Sequence, residues 1–353
     1  MKIAYFDCQS GISGNMVLGA LIDAGLDLVF LRNELKKIPL HEHYQLIAKK
    51  VKRCGIPSTY VEVKIHGHQH AKKSKDIINL IKQSSLKKSI KEKSIGIFQH
   101  IFAAEFKVHG EEHLHDVGAV DTIIDIVGTV IGLDKLGIEK IYSSAICTGS
   151  GTVNTCHGIM PIPAPATALL LKNTPIYSGT IKKELTTPTG AAIITYLAET
   201  FEEIPRLKVE KVGYGAGYYD LPQANVLRML IGENPLGSLE DNIIQIETNI
   251  DDMDPKLYDK AIAKLMKAGA LDAFIEPLRM KKKRNAIKLT TLCKIDDKKK
   301  ILEAIFRNTT TIGARIFLVK REILKRKTEK SGKNWFKNSY WNNELLTSKV
   351  EEK

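Results

Sequence analysis

Apolar and polar positions follow two different periods along this chain, and the points where the period changes predict its elements. Residues 3–7 (IAYFD) form an apolar run of strand length, GISG is a turn, and NMVLGALIDAG reads as a helix that Gly25 closes. A polar helical stretch over 28–37 leads into two alternating strands, YQLIAKKVKR and TYVEVKIHG. Helices are predicted over 76–83, 90–108 and 120–136, then a strand over 141–147. GSGTVNTCHG reads as a glycine-rich loop, and prolines 161, 163 and 165 lead into a helix from about Ala164, where a first-turn proline is tolerated. TTPTGAAIITYLAE repeats that Pro-then-helix grammar, and KVGYGAGYYDLPQANVLRMLIG reads as a glycine-rich loop feeding a strand.

ENPLGSLEDN has the Pro, Gly and polar content of a linker, so a domain boundary is expected near 233–242. Beyond it the order is strand (IIQIETNI), helix (DPKLYDKAIAKLMKAGA), strands (DAFIEPL and AIKLTTLCKI), helix (DDKKKILEAIFRNT) and strand (GARIFLVKREIL). That βαββαβ order is the ferredoxin-like arrangement. From Lys327 the apolar period disappears, and the remainder reads as a frayed polar tail. The expected class is therefore α/β (α+β): a mixed N-terminal α/β domain over 1–235, a ferredoxin-like domain over 242–326 and a tail over 327–353.

Charge sharpens this division. The chain of 353 residues has a formal net charge of +13, yet residues 279–353 hold 22 Lys and Arg against 8 Asp and Glu, leaving 31 against 32 in the rest. Any polyanion partner should therefore bind in the last fifth; the competing reading is a solvated lysine-rich surface. Nucleic acid is not the expected partner, since no recognition module is present and no aromatics interleave the basic run before Trp335. No apolar stretch approaches the roughly 20 residues of a membrane span, and the start lacks the basic-then-apolar pattern of a signal peptide. The five cysteines are scattered with no CxxC pair, which favours a reduced, cytoplasmic setting over a disulfide framework.

Chemistry concentrates in a few stretches. VHGEEHLHDVGAVDTIIDIVG gathers three imidazoles and three aspartates at the mouth of an apolar helix; His113, His115 and Asp121 are candidate metal ligands. Imidazole suits nickel and zinc alike, and the competing reading has one histidine buried, one in water, and Asp116 capping a turn. The loop IHGHQHAKK carries His66, His68 and His70 at period two, on one side of an extended segment, which permits metal capture or plain solvation. FDCQSGISGNM sets a glycine turn where a strand meets a helix, so Ser10, Gly11, Ser13 and Gly14 are candidates for an anion or substrate seat; an ordinary tight turn is the alternative. In the second domain ETNIDDMDP places Asp251 and Asp252 at a strand end, an oxygen cluster suited to Mg²⁺ or Mn²⁺ on phosphates. Lys281, Lys282 and Arg284 could meet the same phosphates, the competing reading being a helix capped by Asp254 beside solvated lysines.

Taken together these stretches resemble the LarC-type nickel-insertion proteins of nickel-pincer nucleotide cofactor synthesis. The resemblance rests on FDCQSGISGNM, HLHDVGAVDTIIDIVG, GSGTVNTCHGIMPIPAPATALLL, TPTGAAII, GYGAG with NVLRMLIGE, ETNIDDMDP and RNTTTIGAR, in the family's order over roughly 1–325. It implies a CTP-dependent cyclometallase that inserts nickel into pyridinium-3,5-bisthiocarboxylic acid mononucleotide. It further implies a nucleotide triphosphate held with Mg²⁺ or Mn²⁺ in the C-terminal domain. For proton removal from the pyridinium carbon, His115 or Asp116 is the expected base. The expected partners are the small-molecule nucleotide substrate, CTP and further copies of the chain in a homo-oligomer. The chain departs from the family motif at Gln9 and at Asn15, where the family has an aspartate, and in the segment Lys283, Asn285, Ala286. Those departures keep a second reading open: a nickel- or nucleotide-binding carrier without turnover.

Overall fold

The computed structural model describes residues 1–66, 72–110, 119–155, 158–201, 203–233, 239–323, 325–331, 334–341 and 344–350. The chain divides into two compact units, Met1–Pro235 and Leu236–Lys353.

The first unit is built on a seven-stranded mixed sheet. From one edge its strands are His43–Arg53, Ile56–His66, Lys208–Ala216, Val226–Glu233, Lys2–Asp7, Lys140–Ser143 and Thr200–Phe201. Lys2–Asp7 runs antiparallel to Val226–Glu233 and parallel to Lys140–Ser143. The apolar run IAYFD is buried along its whole length, as a central strand covered on both faces requires. Helix Val120–Lys135 has apolar residues all round and is correspondingly enclosed, with Ile123, Ile124, Ile126 and Val127 fully shielded from solvent.

Three stretches differ from the sequence expectation. KVGYGA is strand Lys208–Ala216, although its glycines suggested a loop. Helix Gly14–Asp23 lies directly on it: a Cβ on Gly213 would stand 2.1 Å from the Ala20 carbonyl oxygen, and one on Gly215 1.8 Å from that of Met16. These glycines admit a helix rather than make a turn. GSGTVNTCHG enters a short hairpin, Thr152–Thr155 against Gly158–Pro161. The predicted strand over 141–147 is two pieces, because Ile146–Cys147 leaves the main sheet to pair with Ile176–Tyr177.

In the second unit, strands Leu239–Ile250, Asp272–Arg279, Asn285–Lys294 and Arg315–Ile323 form one antiparallel sheet in which the first and third are central. Helices Tyr258–Lys267 and Lys298–Asn308 supply Leu265, Ile301 and Ile305 to a core with Ile244, Ile246 and Leu289. This is the ferredoxin-like arrangement read from the element order. The polar end of the chain departs from its expectation. Lys325–Ser331, Asn334–Trp341 and Glu344–Val350 pair as a three-stranded antiparallel sheet in place of a frayed tail. Its strands carry lysines at close intervals, so no hydrophobic period announces them.

Candidate active site

At the carboxyl end of strand Lys2–Asp7 the chain makes one tight turn before helix Gly14–Asp23. Gly11 adopts φ +77°, the left-handed region open to glycine, and its amide donates to the Cys8 carbonyl at 3.0 Å. Ile12 then pairs with a distant segment: its amide donates to Leu185 O at 3.0 Å and its carbonyl accepts from Thr187 N at 3.1 Å. The turn is thus clamped to the entry of helix Pro188–Leu197, whose first turn is capped by Thr187 Oγ1 accepting from Gly190 N at 3.2 Å.

This clamp forms one wall of a cleft of about 470 Å³. Three helices of eight or more residues begin on it: Gly14–Asp23 through Ser13 and Asn15, Val120–Lys135 through Asp121 and Thr122, and Pro188–Leu197 through Thr187 and Thr189. Helix N-termini present unpaired amides and about half a positive charge each, so the cleft favours anionic groups. Acids face it as well. Asp121 is exposed, with Oδ1 accepting from the Thr122 amide at 2.7 Å. Asp125, one turn deeper, keeps some surface on the cleft, but its Oδ1 is shut away from solvent with no hydrogen-bond partner among the described residues. Burial, and then the Asp121 charge, push the Asp125 carboxyl well above the usual carboxylate range. Gly14 makes room for it, since a Cβ there would lie 2.3 Å from Asp125 Oδ2. Across the cleft the end of helix Lys88–His109 brings Glu105 and His109 together at 3.4 Å.

The structure gathers Ser13, Gly14 and Asp121 on this cleft and turns Ser10 to the other side of the Gly11 turn, where it lines a second cleft with Asp7 and Arg228. Ser13 caps no helix amide and donates instead to Asn15 Oδ1 at 2.6 Å. His66 ends its strand exposed, opposite His43 in register. His68, His70, His113, His115 and Asp116 lie outside the described residues. Among the described residues, no group of three or more His, Cys, Asp or Glu is placed to hold a metal ion. Glu184 and Thr187 were missed as site residues, and Asp125, one of the three aspartates of the 108–128 stretch, was given no role; its signal is an acid set inside the apolar run TIIDIVG.

In the second unit, Asp251 and Asp252 follow strand Leu239–Ile250 directly. Arg284 Nη1 donates to Asp251 Oδ2 at 2.9 Å, so one acid and one base of the two clusters meet, while Asp252 Oδ1 accepts from Thr310 Oγ1. Lys281 and Lys282 are exposed on a short turn in which Lys282 and Lys283 have φ 60° and 59°. Asp254 has the capping role weighed above, accepting from the Lys256 amide at 3.0 Å.

A mixed α/β unit with a polar cleft ringed by helix N-termini, followed by a ferredoxin-like unit with a paired acid and base, defines a two-unit protein with small-molecule clefts. The chain belongs to the nickel insertion protein family, whose model matches residues 4–338. It is 46% identical over 338 residues to the pyridinium-3,5-bisthiocarboxylic acid mononucleotide nickel insertion protein of Desulfitobacterium hafniense strain DSM 10664 / DCB-2, covering 92% of this chain and 83% of that one. It is 41% identical over 372 residues to the protein of the same description from Clostridium kluyveri, covering 99% and 93%. A solved structure described as LarC2, the C-terminal domain of a cyclometallase involved in synthesis of the NPN cofactor of lactate racemase, is 32% identical over 32% of this chain and 81% of that chain, with a TM-score of 0.30. Among the described residues no helix is long and apolar enough to cross a membrane.

Proposed function

We propose that this protein is an enzyme that inserts nickel into pyridinium-3,5-bisthiocarboxylic acid mononucleotide, with CTP as its co-substrate. Family membership and the relatives' names support the reaction; the cleft where three helices begin is the observation that supports our choice of site for it. The substrate carries two thiocarboxylates and a phosphate, and amide-rich helix ends suit such anions. In the reaction both thiocarboxylate sulfurs bind nickel and one pyridinium C–H bond is replaced by a carbon–nickel bond. The released proton needs an acceptor, and nickel keeps its oxidation state. Among the described residues Asp125, which lines this cleft and whose carboxyl burial holds above the usual carboxylate range, is our choice of acceptor. Asp121 at the mouth offers nickel a carboxylate.

For CTP, the reading rests on the second unit. Asp251 and Asp252 are exposed hard-oxygen donors, a set that fits Mg²⁺ or Mn²⁺, with Arg284 paired to Asp251 and Lys281 and Lys282 just before Arg284 in the chain for phosphate oxygens. A divalent ion held there would offset the triphosphate charge. The test incubates the protein with the mononucleotide, Ni²⁺ and CTP and follows the nickel-bearing product by mass spectrometry. Multiple turnovers that require CTP are expected. Stoichiometric binding of nickel or nucleotide without product would establish the carrier reading and overturn this one.

A further inference from the structure

The second cleft, on the far side of the Gly11 turn, has about 490 Å³ and chemistry of its own. At its base Asp7 is 7% exposed and ion-paired through Oδ2 with Arg228 Nη2. Two polar atoms on its wall are shielded and have no hydrogen-bond partner among the described residues: Asp7 Oδ1, an acceptor, and Arg228 Nε, a donor. An unmade pair of this kind next to a cleft calls for a ligand that both donates and accepts.

The ion pair narrows the choice. A phosphate would meet the Asp7 carboxylate, and an ammonium would meet the Arg228 guanidinium, so neither charge suits the orphan pair. A hydroxyl donates to a carboxylate and accepts from a guanidinium at once. The position agrees: Asp7 ends a strand that runs parallel to Lys140–Ser143, and in α/β sheets acids beyond strand carboxyl ends take ribose hydroxyls. Two phenol rings flank the pair. Tyr214 lies beside Arg228, and Tyr177, 42% exposed, sits with its hydroxyl against Cys147 and 3.5 Å from the Gln9 carbonyl. Such rings stack on the flat face of a base. We propose that this cleft is a second ligand site that binds the ribose hydroxyls and aromatic base of a ribonucleoside, with Asp7 and Arg228 on the sugar and Tyr177 on the base. The choice of candidate nucleosides rests on the reaction proposed above; the site itself does not rest on the role given to the helix-terminus cleft.

Two ribonucleosides are chemically at hand, a pyridinium one and a cytosine one, and the experiment separates them. Full-length protein is titrated calorimetrically with nicotinamide mononucleotide, with CMP and with 2′-deoxy-CMP. At least one ribonucleotide should bind, and Asp7→Asn should weaken it roughly 10- to 100-fold by loss of a charge-assisted hydrogen bond. Tyr177→Ala removes only an exposed ring, so it reports even where Asp7→Asn fails to fold; a loss of about 10-fold is expected. If CMP is the ligand, the deoxy form should bind at least about 10-fold more weakly, and Asp251→Asn should leave CMP binding intact. The proposal falls if neither ribonucleotide binds, if Tyr177→Ala binds as wild type, or if the deoxy and ribo forms of a bound CMP are equivalent. It falls equally if binding is lost with Asp251→Asn and kept with Asp7→Asn.

Discussion

Replacing Gly190 by alanine should destabilise the first unit even though alanine is the better helix former. The intrinsic preference would gain about 1 kcal/mol at a helix interior position. Against it, the new Cβ would lie 2.1 Å from Ile12 O, 2.5 Å from Ile12 C and 2.7 Å from Ser13 Cα. Ordinary contact needs about 3.5 Å, so the turn or the helix must retreat by more than ~1 Å. All three atoms are backbone, and no side chain can rotate away. Ile12 is held by hydrogen bonds to Leu185 and Thr187 on either side, each contributing about 1 kcal/mol. Losing both and adding overpacking of ~1–3 kcal/mol outweighs the helical gain, leaving a net loss of about 2–4 kcal/mol. For a unit of 235 residues each kcal/mol moves Tm by roughly 2–4 °C. Scanning calorimetry should therefore show the transition of this unit lowered by roughly 4–16 °C, together with reduced nickel insertion. Gly128→Ala is the control: its nearest neighbour is the flexible end of Leu18 at 3.0 Å, and its Tm should change little. A Gly190→Ala protein as stable as wild type would refute the claim that backbone contact seats this turn.

Other substitutions test the electrostatics. The Asp125 carboxyl titrates above its unfolded value, so the stabilisation it gives is complete at low pH and is lost as pH rises through the raised value. Asp125→Asn should match wild type near pH 4 and be more stable by ~1–3 kcal/mol at alkaline pH in denaturant titrations; an equal gain at both pH values would contradict this. Asp23 behaves oppositely. Burial raises its carboxyl, but hydrogen bonds from Lys50, the Tyr214 amide and Thr59 outweigh burial and hold it below the usual range. Its contribution is present above the ordinary carboxylate value and lost as pH falls through the lowered one, so Asp23→Asn should flatten acid unfolding and cost about 1–3 kcal/mol at pH 7. Arg284→Ala removes an exposed ion pair, which should leave stability within about 1 kcal/mol while weakening CTP roughly 10- to 100-fold by calorimetry. Unchanged CTP affinity would remove Arg284 from the proposed site.

How far the sequence could be read depended on what each element buries. Helix Val120–Lys135 was legible from an apolar run too long for a strand, and the ferredoxin-like order from apolar periods joined by short connections. Strand Lys208–Ala216 was misread because Gly213 and Gly215 answer to a helix that only topology brings over them. The terminal three-stranded sheet was misread because closely spaced lysines and other polar residues leave no apolar period to detect. The site divided along the same line. Ser13, Gly14 and Asp121 sit at element boundaries that sequence marks. Glu184 and Thr187 reach the cleft only through the pairing of Ile12 with a segment more than 170 residues away.

The glycine bed under helix Gly14–Asp23 has a consequence for binding. Where side chains separate a helix from a sheet, their rotamers absorb small displacements; here carbonyl oxygens meet bare backbone at Gly213 and Gly215. The amides that open this helix are therefore fixed against the sheet before any ligand arrives. An anion docking on them need not immobilise them first, so little of its interaction energy goes into ordering the protein. A helix laid on bulkier residues would offer the same donors from a mount with play in it, and would hold the same anion less tightly.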